Sequence, residues 1–149
     1  MKKRSFIKIL LLVIGGLFFF FFQSLGDENM LRKEISLNGN WELQPVFTDK
    51  LTYPPKEGKW QKVKVPLAGK KWSGAKVEKA KSVWYRKEFN LPESWQGKKI
   101  RFRFEGVNYE AKVYLNGKFI GSHRGGTIPF EIDGTEFAQF GSSNELYVG

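Results

Sequence analysis

The 149-residue chain carries 25 Lys and Arg against 15 Asp and Glu, a single histidine and no cysteine. The missing cysteines exclude disulfides, thiolate nucleophiles, thiolate metal sites and a lipidated N-terminal cysteine. One histidine cannot build a multi-histidine metal cluster, so neither a metal nor a cofactor is expected, while 41% apolar and 16% aromatic residues suffice for the core of one domain.

In chain order, Lys2, Lys3, Arg4 and Lys8 precede an unbroken apolar run from Ile9 to Phe22, with no acid among them. A basic stretch followed by an apolar one of this kind reads as a secretory signal, and small Ser24 and Gly26 suit cleavage before Asp27. A membrane-spanning helix needs about 20 apolar residues, more than this run supplies. The expected organisation is therefore a signal peptide at 1–26, a linker at 27–34 and one domain at 35–149, in an exported, periplasmic or extracellular protein. Membrane contact is expected only through the signal. Without the four basic residues of the signal the net charge falls from +10 to +6 (21 basic against 15 acidic). The remaining Lys and Arg interleave with Glu, whereas a nucleic-acid protein gathers its basic residues on one face. No nucleic-acid partner is expected.

Beyond the signal, short alternating runs separated by Gly, Pro, Asn and Asp point to an all-β sandwich or barrel. The stretch 35–43, "ISLNGNWEL", reads as an entering strand anchored by Trp41, and "KVKVP" as a shorter one closed by Pro66. Between Pro45 and Lys81 the pattern is weak and Lys-rich. "VWYRKEFNLP" is a strand that Pro92 brings to an end, and Trp95 in "LPESWQGK" suits a helical turn. "KKIRFRFEG" puts Ile100, Phe102 and Phe104 on one face and Arg101, Arg103 and Glu105 on the other. "AKVYLNGKFIG" is a hairpin around Asn116-Gly117, because both residues tolerate positive φ. "NELYVG" is a last strand cut short, expected to leave unpaired edge groups.

Three constellations invite chemistry. Glu105 and Glu110 flank "GVNY" as a carboxylate pair, but read more simply as solvated strand-end acids. Ser122, His123 and Asp133 have the residue types of a triad without a nucleophile elbow. Asn108, Tyr109, His123 and Arg124 are the types that hold a sugar, an aromatic face for the ring and polar groups for the hydroxyls. Trp41, Trp60, Trp72, Trp84 and Trp95 read as core or loop plugs rather than sugar platforms.

"SLNGNWEL", "WQKVKVP", the long block from "VWYRKEFNLPESWQGKKIRFRFEGVNYEAKVYLNGKFIGSHRGGTIPFEID" and "NELYVG" resemble, in order and spacing, the N-terminal sugar-binding domain of family 2 glycoside hydrolases. That family includes β-galactosidases, β-glucuronidases and β-mannosidases. The resemblance implies a galactose-binding-like jelly-roll β-sandwich, incomplete in its last strand, followed in a full enzyme by an immunoglobulin-like domain and a TIM barrel bearing two catalytic glutamates. It assigns this chain no catalytic residue. It implies a carbohydrate partner at Asn108, Tyr109, His123 and Arg124, with a turn at Gly106, a central strand opened by Trp84-Tyr85-Arg86, and a strand started by Pro129-Phe130. Thr127 and Gly134 depart from the family pattern, and Gly134 is expected to weaken a turn. A free-standing carbohydrate-binding module and a purely structural domain are the alternatives.

Overall fold

The computed structural model describes residues 32–48, 53–66, 77, 79–126 and 128–149. The signal, Trp72 and Thr127 lie outside them. The chain divides into Met1–Ser36 and Leu37–Gly149. Of the first unit the described residues 32–36 form neither helix nor strand; the second holds the fold.

Eight strands form there: β1 (Gly39–Val46), β2 (Gln61–Val65), β3 (Ser82–Asn90), β4 (Arg101–Phe104), β5 (Glu110–Leu115), β6 (Lys118–Arg124), β7 (Phe130–Asp133) and β8 (Ser143–Val148). Two 3₁₀ turns, Glu93–Trp95 and Thr135–Phe137, are the helical elements of the described residues. The first is the helical turn expected around Trp95. β1 begins at Gly39, four residues later than the alternation suggested, and Trp41 Nε1 donates to Leu37 O at 2.7 Å, tying the strand to the segment before it.

Strands β2-β1-β3-β8-β5-β6 make one antiparallel sheet, and β4-β7 make a second. Alternation along each strand puts one apolar face between the sheets. Ile100, Phe102 and Ile132 from the small sheet side meet Trp41, Val113, Leu115, Leu146 and Val148 from the large one. Fully burying an aliphatic side chain of this size is worth about 1.5–3 kcal/mol, so this layer dominates stability. Arg101 and Arg103 face solvent, as the period-two pattern required. The chain forms the expected all-β jelly-roll sandwich.

The outer face of the large sheet has its own smaller core, Val46, Trp84 and Tyr114, with Trp60 and Tyr147 packed on it. Beside it Arg86 donates to Glu42 Oε2 through Nε at 2.8 Å, and its guanidinium lies 4.6 Å from the centre of the Trp60 ring. Trp41 and Trp84 are buried and Trp60 and Trp95 half-buried, all of them packing elements.

The Asn116-Gly117 hairpin has φ of 50° and 76° at its two loop residues, the type I′ geometry that matches strand twist. Asn116 does more than turn. Its Nδ2 donates to Phe137 O at 2.7 Å and to Asn144 Oδ1 at 2.9 Å, and its Oδ1 accepts from Glu145 N at 2.8 Å. Asn144, fully buried, accepts from Gln139 N at 2.8 Å and donates to Gln139 O at 2.7 Å and to Ser142 O at 3.3 Å. The two amides tie the hairpin, the second 3₁₀ turn and β8 together.

Two expectations change. β8 is an interior strand, paired with β3 and β5, and Gly149 exchanges both backbone hydrogen bonds with Lys112 at 2.7 and 2.9 Å. Its backbone groups are therefore not an unpaired edge. Gly134 has a packing role that the sequence did not suggest: an added Cβ would lie 2.5 Å from Phe102 Cε2, so the close approach of this turn to the Phe102 ring needs a residue without a side chain.

Candidate functional site

The chain leaves the small sheet at Phe104 and enters the large one at Glu110. Asn108 and Tyr109 lie on this crossing. The Asn108–Tyr109 peptide is cis. Gly125 N donates to Tyr109 O at 3.0 Å, tying the end of β6 to the loop. Tyr109 is 60% exposed, and the Arg124 guanidinium sits 5.8 Å from its ring centre, within cation–π range. One side of the Tyr109 ring is thus taken by a cation, next to an exposed amide.

This loop is the lip of a cleft of about 610 Å³ running between β3 and β5. Ser82, Val83 and Trp84 form one wall, Glu110 and Lys112 the other, with Val148 and Gly149 at one end. Sequence reasoning singled out Glu110 and Trp84 without placing them on one cleft, because β3 and β5 are brought side by side only by β8 passing between them.

His123 does not join the group. It pairs across from Ala111, while Arg124 pairs with Glu110, and neighbouring residues of a strand face opposite sides of a sheet. The His123 ring stacks on Phe130 (4.1 Å between centres, 11° between planes), which stacks in turn on Phe104 at 4.8 Å. Its Nε2 is buried without a hydrogen-bond partner among the described residues. The structure therefore brings Asn108, Tyr109 and Arg124 together and puts His123 on the inner face.

The same parity dissolves the triad types. Ser122 is exposed on the face opposite His123. Asp133 Oδ1 accepts from Thr135 N at 2.9 Å, and the Thr135 hydrogen bonds hold its carboxyl below the usual aspartate range. Of the tempting acids, Glu105 is exposed and bonded by Arg103 at 2.9 Å, whereas Glu110 lines the cleft wall. Glu42 and Glu145 lie within 4.0 Å of one guanidinium, that of Arg86, on the outer face. Among the described residues no group of three or more His, Asp and Glu could hold a metal ion.

Residues 30–148 match the family model described as the sugar binding domain of the family 2 glycosyl hydrolases. The chain is 38% identical over 121 residues to a β-galactosidase of Thermoanaerobacter pseudethanolicus, and 30% identical over 123 residues to a β-glucuronidase of Bacteroides fragilis. Each alignment covers 78% of this chain and 16% of the relative, so the chain spans about a sixth of those proteins. Among solved structures, a β-glucuronidase from an uncultured Clostridium species superposes with a TM-score of 0.69 at 32% identity, over 82% of this chain and 22% of that one. The β-glucuronidase of Ruminococcus gnavus in complex with uronic deoxynojirimycin gives 0.68 at 29% identity, over 79% and 22%. By the extent of these matches and by its fold, the chain belongs to the sugar-binding domain family of the family 2 glycosyl hydrolases.

Proposed function

We propose that this chain is the N-terminal carbohydrate-binding and scaffold domain of an exported β-glycosidase, and that hydrolysis of the O-glycosidic bond is carried out by domains that follow it in the full enzyme. The observation that supports this reading is the placement of the acids. Retaining hydrolysis needs two carboxyl groups about 5–5.5 Å apart across the scissile bond. Glu110 is the one acid among the described residues that line the cleft, and Glu105 points to solvent with Arg103 on it. The relatives' names give β-galactosides and β-glucuronides as the substrate classes.

The sugar-facing element is the Tyr109–Arg124 pair with Asn108 beside it. Tyr109 offers a ring face, and Arg124 offers a charge suited to a uronic carboxylate. So small a rim binds weakly, with Kd on the order of millimolar, since few contacts offset the cost of association. Export rests on the basic-then-apolar N-terminus.

The test is to incubate purified residues 27–149 with nitrophenyl β-galactoside, β-glucuronide and β-mannoside, and to titrate methyl β-glucuronide by NMR. No turnover, and shifts at Tyr109 that vanish in Arg124→Ala, are expected. Turnover lost on Glu110→Gln would overturn the reading.

A further inference from the structure

We propose that Asn116-Gly117 is a deamidation site that the fold holds shut, so that a passing opening of the hairpin junction becomes permanent chemical change. Asparagine followed by glycine is especially prone to this reaction, because a residue without a side chain leaves its nitrogen open to approach. The Gly117 nitrogen attacks Asn116 Cγ and loses its proton to water. The Cγ–Nδ2 bond breaks, ammonia leaves and a cyclic imide forms. Water then opens the imide. Cleavage at Cγ gives aspartate, and cleavage at the main-chain carbonyl gives isoaspartate, whose backbone runs through the former side chain.

The tripeptide Leu-Asn-Gly occurs twice, as Leu37-Asn38-Gly39 and Leu115-Asn116-Gly117. With the same neighbours the two asparagines have similar intrinsic reactivity, and a difference between them belongs to the fold. Asn38 is exposed at the entry to β1. Gly117 is exposed as well, with φ of 76°, so water reaches the attacking nitrogen. What withholds Asn116 is its carboxamide. Nδ2 donates to Phe137 O and Asn144 Oδ1, and Oδ1 accepts from Glu145 N, which holds Cγ against β8 and the second 3₁₀ turn. The Asn116 N–H is also committed, to Glu145 O at 2.8 Å. Ring closure turns the carboxamide toward Gly117 N, and that turn breaks its three bonds. At ordinary strength three such bonds favour the closed arrangement by about a hundredfold.

The product does not remake the junction. In aspartate an oxygen stands where Nδ2 stood, facing Phe137 O and Asn144 Oδ1, both acceptors. Isoaspartate adds a carbon to the backbone of a tight loop whose length sets the register of β5 and β6. Either way Asn144 loses a partner, and the tie between the hairpin and β8 is lost for good.

The test incubates the 149-residue chain, kept in mild detergent for its Ile9–Phe22 run, in mildly alkaline buffer with and without denaturing urea. Conversion at Asn38 and Asn116 is followed by peptide mapping and mass spectrometry. In urea the two sites should react at similar rates, and in the folded chain Asn116 should react at least tenfold more slowly than in urea. Asn144→Ala removes one partner of the carboxamide, and should speed Asn116 about tenfold while leaving Asn38 unchanged. Val63→Ala, on the opposite edge strand of the large sheet from β6, controls for general destabilisation. With urea added until its unfolded fraction equals that of Asn144→Ala, it should speed Asn116 less than a third as much. A second reading needs no variant and stands even where Asn144→Ala does not fold. Amide hydrogen exchange at Glu145, whose N–H bonds Asn116 Oδ1, should be at least tenfold faster in wild-type chains converted at Asn116 than in unconverted ones. Conversion of Asn116 in the folded chain at its rate in urea would overturn the proposal. Equal acceleration by the two variants, or Glu145 exchange unchanged by conversion, would do so too.

Discussion

Asn144→Asp isolates the buried amide network with almost no change of shape. Asn144 is fully buried, and all four of its hydrogen-bonding capacities are used: two acceptor sites by Gln139 N and Asn116 Nδ2, two donor sites by Gln139 O and Ser142 O. In the aspartate, an oxygen replaces the nitrogen that faces the two carbonyls. When protonated it still donates to Gln139 O, and the cost is one weak bond, about 1 kcal/mol. When ionised it sets a buried charge against two acceptors, costing about 3–5 kcal/mol. Such a cost is a large share of the 5–15 kcal/mol typical of whole domains.

The sign with pH follows. The introduced carboxyl has a folded-state pKa raised above its unfolded value of about 3.9. The penalty is small below that value and grows by roughly 1.4 kcal/mol per pH unit until the folded pKa is passed. Urea unfolding followed by tryptophan fluorescence, at pH 4.5, 6 and 7.5, should show the variant's deficit widening with pH. Asn144→Ala, which introduces no titrating group, should show a deficit that stays constant. A flat Asn144→Asp difference, or one below about 1 kcal/mol at pH 7.5, would mean that this amide is not the buried junction of the hairpin and β8.

Gly134→Ala should destabilise by about 1–3 kcal/mol through overpacking, since the new methyl meets Phe102 at 2.5 Å and Leu115 at 3.2 Å. Melting of Gly134→Ala, Phe102→Leu and the double variant tests this: the double should cost less than the sum of the singles. Burial pushes the Tyr85 phenol up to about 12, so the folded state resists ionising it. A phenol with a raised folded pKa contributes stability that is complete below about pH 10, the unfolded value, and is lost as pH climbs toward 12. Urea midpoints at pH 8, 10 and 11.5 should fall more steeply in the wild type than in Tyr85→Phe, and parallel slopes would refute the assignment.

Much of the sandwich was legible because its signals are local. Ile100, Phe102 and Phe104 alternate with Arg101 and Arg103, and that period fixes a face whatever the rest of the chain does. Asn116-Gly117 names its turn type from two residues. What stayed hidden depends on contacts far apart in sequence. Asn144 gives no period and no motif, and its importance comes from Asn116, 28 residues away. Gly134 read as a weak spot because its need for smallness is set by Phe102, on a different strand.

The candidate site divides along the same line, with one lesson that was available. His123 and Arg124 are adjacent in an alternating run, and strand parity alone sends them to opposite faces of the sheet. Applied to the hairpin, it separates the inward ring that stacks on Phe130 from the outward guanidinium over Tyr109. The cleft was not available in this way. Its walls are Ser82, Val83 and Trp84 on one side and Glu110 and Lys112 on the other, and nothing in those residues announces that β8 threads between them.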